Sequence, residues 1–185
     1  MAAKSGSIYQ LKITLKDSKP PIWRRVLVPG SFSLGKLHHI IQIAMGWMDA
    51  HLHMFDINRT CYGEPSPDDW EPVKNETRFR LEAVAPPVKG KFVYEYDFGD
   101  SWKHTVTVEK ILPPEPGVKY PQCIAGKRAC PPEDVGGVWG YEEFLEAISD
   151  PDHEEHESFM EWAGEDFDPE ALDLEDINQE LQQMK

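Results

Sequence analysis

Two hydrophobic periods divide this chain and leave few folds open to it. In residues 8–15, Tyr9, Leu11, Ile13 and Leu15 alternate with Ile8, Gln10, Lys12 and Thr14, the two-residue repeat of a strand with one face buried. Ile22–Val28 reads as a second strand, entered through Asp17-Ser18-Lys19-Pro20-Pro21 and closed by Pro29-Gly30, so a hairpin-like opening is predicted. The alternation returns at Phe92, Tyr94 and Tyr96, and again at Trp102, His104, Val106 and Val108, with Gly99 near the tip of a second hairpin. Pro113-Pro114-Glu115-Pro116-Gly117 ends it, because proline donates nothing to a ladder.

Elsewhere the period lengthens to three or four. Ser33 is predicted to cap a helix whose stripe is Leu34, Leu37, Ile40, Ile41, Ala44, Met45 and Met48. Beyond residue 138, Tyr141, Phe144, Leu145 and Ile148 form one stripe. Asp150-Pro151 signals a second helix carrying Phe159, Met160 and Ala163, and Asp168-Pro169 a third carrying Leu174, Ile177, Leu181 and Met184. Residues 63–77, rich in Pro, Asp, Glu and Asn, read as a surface loop. The expectation is an α+β fold: an antiparallel sheet with an N-terminal-half helix and three acidic C-terminal helices packed on it. At 185 residues a single domain over 1–185 is expected, residues 1–128 mainly sheet plus one helix and 129–185 the acidic helical part.

Charge separates the same two parts. Residues 1–128 carry 18 Lys+Arg against 14 Asp+Glu, and residues 129–185 one Lys against 19 Asp+Glu. The acidic part repels phosphate, so nucleic acid is not expected there, and it favours a basic protein or peptide as partner. No segment approaches the ~20 apolar residues of a membrane span, and the N-terminus lacks a signal-peptide pattern. Three cysteines, Cys61, Cys123 and Cys130, then fit free thiols in the cytoplasm better than disulfides.

Several residue sets bear on chemistry. His51-Leu52-His53, placed on a strand, would put two imidazoles on one face about 7 Å apart, with Leu52 and Met54 toward the core. Asp97, Asp100 and His104 crowd one end of the second hairpin beside Trp102. The candidate cleft is therefore His51, His53, Asp97, Asp100, Trp102 and His104. Its polar members could hold a divalent metal if the two strands bring them together; no other cofactor is expected. The alternative for Asp100 is a hydrogen bond to its own turn, and for His104 a place in the apolar face. His153-Glu154-Glu155-His156 misses the H-E-x-x-H spacing of zinc proteases by one residue and reads as a solvated helix face. Cys123 and Cys130 are too far apart for a zinc knuckle. Gly136-Gly137-Val138-Trp139-Gly140 lacks the Lys-Ser/Thr of a phosphate loop and reads as close packing around Trp139.

The blocks PPIWRRVLVP, GWMDAHLHMF, YEYDFGDSWKHTV, CIAGKRACPPEDVGGVWGYEEFL and DPDHEEH…FDPE, in this order, resemble the plasmid pRiA4b ORF-3-like family from about residue 8 to residue 181. The resemblance implies an α+β group of plasmids and chromosomes, bacterial or archaeal, to which resolvase-like and repressor-like labels are attached. A serine resolvase needs a catalytic serine among arginines and a basic DNA-binding helix, and neither is visible. The resemblance also implies that relatives often carry cysteine at the position of Val135, so a cysteine-based metal site would here lack a ligand.

The reading these residues favour is a binding or accessory protein without enzymatic activity, linked to mobile elements, whose groove lies between the sheet and the acidic helices. One alternative is a metal-dependent hydrolase-like enzyme built on His51, His53, Asp97, Asp100 and His104. Another is DNA binding through Lys16, Lys19, Arg24 and Arg25.

Overall fold

Alternation becomes strand wherever one face can be buried. The computed structural model describes residues 6–164 and 166–184. Its strands are β1 (Ile8–Leu15), β2 (Trp23–Pro29), β3 (His53–Ile57), β4 (Thr60–Gly63), β5 (Val73–Asn75), β6 (Lys91–Tyr96), β7 (Trp102–Leu112) and β8 (Gln122–Lys127). They form one sheet in the order β5-β4-β3-β6-β7-β1-β2-β8. Every pairing is antiparallel except β4 with β5. The fold is α+β.

Register fixes which side chains share the core face. Tyr94 lies opposite His104 and Tyr96 opposite Trp102; Ile13 lies opposite both Val106 and Arg24; Phe55 lies opposite Tyr94. All of these are buried. The other face carries Gln10, Lys12, Arg25 and Glu109, where Glu109 takes two hydrogen bonds from Arg25, at 2.6 and 2.9 Å, and one from Gln10 at 2.7 Å.

The helices are α1 (Leu34–Met45), α2 (Leu81–Val84), α3 (Gly137–Ser149), α4 (His156–Ala163) and α5 (Leu174–Gln183). The Ser33 side chain caps α1 by accepting the Lys36 N–H, and the apolar stripe of α1 joins the sheet residues in one core. Phe144 of α3 is buried and meets Phe159, Trp162 and Phe167 edge-on. Helix α5 shields the sheet edge at β8: Asn178 accepts the Cys123 N–H at 2.7 Å and donates to the Cys123 carbonyl at 2.8 Å. Pairing an edge in this way blocks further strand addition. Among the described residues, no helix is long and apolar enough to cross a membrane.

Several expectations need correction. Met48 leaves the α1 stripe, because the helix ends at Gly46 in the left-handed region (φ 106°), and Met48 is exposed. Asp150-Pro151 and Asp168-Pro169 begin turns, not helices; the third helix starts after Asp173, whose carboxylate accepts the Glu175 and Asp176 N–H groups. Strand β8 has no counterpart among the predicted strands, because its burial pattern does not alternate. The loop predicted for 63–77 contains β5. Trp139 is 80% exposed, so the glycines beside it have a different cause. A Cβ on Gly137 (φ 71°) would sit 2.6 Å from the Asp100 carbonyl oxygen, and one on Gly140 2.1 Å from that of Val135. These positions need glycine for backbone approach.

Candidate functional site

The segment Gly46–Leu52 turns the chain from α1 into β3, and it is anchored where Trp47, buried, donates from Nε1 to the Pro131 carbonyl at 3.0 Å. Around it α1 supplies His38, His39 and Gln42, the turn supplies Asp49 (φ 55°), β3 supplies His53, and the residue after β5 supplies Glu76. His38 Nδ1 lies 2.8 Å from the Tyr94 hydroxyl and Nε2 lies 2.7 Å from Asp49 Oδ1. Gln42 donates to the Tyr94 hydroxyl at 2.9 Å, and its own carbonyl accepts the Asp49 N–H at 2.9 Å. The His53 ring stacks on His38 with centroids 3.4 Å apart, and its Nε2 lies 2.8 Å from Glu76 Oε2.

This network assigns the tautomer of His38. Burial, and next the neighbouring His53, pull its pKa down to about 4, with the Asp49 hydrogen bond opposing them, so the ring is neutral near pH 7. A neutral ring here donates from Nε2 to Asp49 and accepts at Nδ1 from Tyr94, which in turn accepts from Gln42. Each group has a partner, and the circuit closes on the Asp49 backbone. Burial likewise raises the Tyr94 hydroxyl well above its usual value, which keeps it a donor.

Beside this network opens a cleft of about 1280 Å³, walled by the turn, the start of β3 and residues 63–77. Six carboxylates line it, from Asp49, Glu64, Asp69, Glu71, Glu76 and Glu95, with four histidines and neither Lys nor Arg. Trp70 and Phe98 also line it, and no described residue of the acidic helices does, so it is not the groove expected between them and the sheet; Trp70 is fully exposed and Phe98 half-exposed. The volume exceeds that of an ordinary small-molecule pocket, ~300–1,000 Å³.

The six candidate residues do not form one site. His51 precedes β3, so it and His53 do not share a strand face. Leu52 is 64% exposed and Met54 is half-buried, whereas Phe55 and Ile57 are buried. His53 therefore shares the core parity, opposite to the expectation, because register with Tyr96 sets it. His51 Nε2 instead lies 2.9 Å from Asp134 Oδ1, 3.6 Å from Asp97 Oδ2 and 3.8 Å from Glu133 Oε2. Asp97, not Asp100, serves the hairpin tip, its Oδ1 accepting the Gly99 N–H at 2.9 Å. Asp100 Oδ2 accepts the Gly136 N–H at 3.0 Å. His104 and Trp102 are at 0% exposure in the core. His104 Nδ1 faces the Tyr94 carbonyl at 3.3 Å and its ring meets Trp47 edge-on, while burial lowers its pKa to about 4. The hydrolase-like reading required five residues in one place; the fold sets His51 beside Asp97 and has His51 and His53 line one cleft, while His104 is enclosed in the core.

Sequence reasoning missed His38, Asp49, Glu76, Glu133 and Asp134. One signal was available: His38 and Gln42 continue the Leu34 row of the apolar stripe at four-residue steps, and polar groups on a buried face require partners. The arginines proposed to touch DNA are also committed. Arg24 is 2% exposed and donates to the carbonyls of Ala44, Trp23 and Lys127, while Arg25 is paired with Glu109. Burial pushes the Cys130 thiol up to about 12 and raises that of Cys123, which suppresses thiolate chemistry.

Residues 7–176 match the family model described as plasmid pRiA4b ORF-3-like protein. The uncharacterized protein y4hQ of Sinorhizobium fredii (strain NBRC 101917 / NGR234) is 39% identical over 176 residues, 94% of this chain and 90% of its own length. The crystal structure of MM3350, a protein of unknown function from Methanosarcina mazei Go1, is 44% identical, covers 92% of this chain and 96% of its own, and superposes with a TM-score of 0.87. A match spanning the sheet, α1 and the start of α5 leaves one conclusion about ancestry: this chain belongs to the plasmid pRiA4b ORF-3-like family.

Proposed function

We propose that this protein is a binding or accessory protein whose cleft receives a cationic segment of another protein. One observation carries the reading: the cleft is lined by six carboxylates without a Lys or Arg, beside an exposed Trp70. Carboxylates in a concave wall raise the local concentration of positive charge. An exposed indole accepts a Lys or Arg side chain over its face. The size of the cleft suits an extended peptide better than a metabolite. The neighbouring histidine network favours binding over proton transfer. His38, with a pKa of about 4 and both ring nitrogens engaged, is not poised to exchange protons near neutrality.

The test is titration calorimetry with a Lys/Arg-rich peptide and an acidic peptide of equal length, in chelator, at low and high salt. The basic peptide should bind, weaken steeply with salt, and lose about tenfold in affinity with Trp70→Ala, the effect of removing one aromatic anchor. Equal binding of the acidic peptide, or no binding of the basic one at low salt, would refute the reading.

A further inference from the structure

The second histidine cluster lies outside the closed network. His51 Nε2 is buried, yet it makes no hydrogen bond, although oxygens of Asp134, Asp97 and Glu133 stand 2.9, 3.6 and 3.8 Å away. Ligands held about 2.1 Å from one ion are about 3.0 Å apart at right angles and about 3.4 Å apart in a tetrahedron, a spacing that the 2.9 and 3.6 Å separations bracket.

We infer that His51, Asp97 and Asp134 form a binding site for one divalent first-row metal ion, with Glu133 beside it. Their ligand atoms lie within 4.8 Å of one another. The surroundings supply the outer sphere that such sites use to aim their ligands. Asp97 Oδ1 is fixed by the Gly99 N–H, leaving Oδ2 to face His51. Glu133 Oε1 is fixed by the Met48 N–H and the Tyr96 hydroxyl, both at 3.0 Å, while Oε2 lies 3.3 Å from the same hydroxyl and 3.8 Å from His51. Among the described residues, no Lys or Arg ion pair reaches these three carboxylates, so a dication would offset their mutual repulsion.

His38, Asp49 and His53 also lie within 4.8 Å of one another, but they do not make an equivalent site. Both nitrogens of His38 are engaged, and its ring is parallel to that of His53 within 6° at 3.4 Å. Parallel stacked rings cannot both aim an in-plane lone pair at one ion. One imidazole with two carboxylates selects Mn²⁺ or Zn²⁺ over Ca²⁺ and Mg²⁺. The ion would join three segments distant in sequence: the turn after α1, the β6–β7 tip and the approach to α3.

The full chain, stripped with chelator and dialysed, is titrated with Mn²⁺, Zn²⁺, Ca²⁺ and Mg²⁺ by calorimetry, with metal content and thermal midpoint measured in parallel. Mn²⁺ or Zn²⁺ should bind one per chain and raise the midpoint. His51→Ala and Asp134→Asn should each weaken binding at least tenfold, and His53→Ala should leave it within twofold. Asp134 is largely exposed, so its substitution leaves the fold intact. Failure of Mn²⁺ and Zn²⁺ to bind, binding unchanged by His51→Ala and Asp134→Asn, or binding lost with His53→Ala overturns the assignment. Because the peptide titration is run in chelator, the two proposals fail separately.

Discussion

Two histidine clusters flank the turn between α1 and β3, and they differ in what their nitrogens meet. His38 is enclosed, with Tyr94 at Nδ1 and Asp49 at Nε2, and Gln42 in turn donates to Tyr94. His51, in contrast, faces three carboxylates without a hydrogen bond at Nε2. The same residue types thus serve opposite ends. A satisfied buried network fixes the positions of β6, α1 and the turn relative to one another, whereas a cluster whose imidazole nitrogen makes no hydrogen bond has capacity left for an ion. Proximity of His and Asp does not make a site; the state of each lone pair decides.

The comparison can be broken most forcefully by acid. His38 and His104 both titrate at about 4, below the ~6.5 of a free imidazole. As pH falls, the unfolded chain takes up their protons first, so this stability is complete above ~6.5 and is lost as pH falls toward 4. Fully buried His104 alone should cost about 3 kcal/mol over that window. Urea unfolding at stepped pH should show this loss, and His104→Phe should flatten the slope.

Removing one hydroxyl from the closed network comes next. Tyr94→Phe leaves the Gln42 amide N–H and His38 Nδ1 each without its buried partner and should destabilise by about 2–4 kcal/mol, read as a lower urea midpoint at unchanged m-value. The matching change in the open cluster should be smallest. His51 is partly exposed and makes no hydrogen bond through Nε2, so His51→Ala in chelator should cost under about 1 kcal/mol. A His51→Ala loss equal to that of Tyr94→Phe would erase the distinction between the clusters.

How much was legible follows from the range of each interaction. The β1 and β6–β7 alternation and the Ser33-capped stripe of α1 are local, and the structure places these elements where the periodicity does. The parity of His53 was not legible, because His51, Leu52 and His53 alternate equally well in either register and pairing with Tyr96 selects one. Two Asp-Pro signals preceded helices by several residues, since proline suits a turn as well as a first helical residue. Strand β8 carries little alternation of its own and exists through its pairing with β2.

Period, caps and composition act over a few neighbouring residues, so they specify an α+β chain, its strand-and-helix order apart from α2, the short β4–β5 pair and β8, and the separation of charge. Only the tertiary structure decided which histidines meet which carboxylates. His51 and Asp134 are brought to 2.9 Å, and His53 and Glu76 to 2.8 Å, by sheet register and by the turn that Trp47 anchors. The sum of distant packing contacts sets those distances, and no local pattern encodes it.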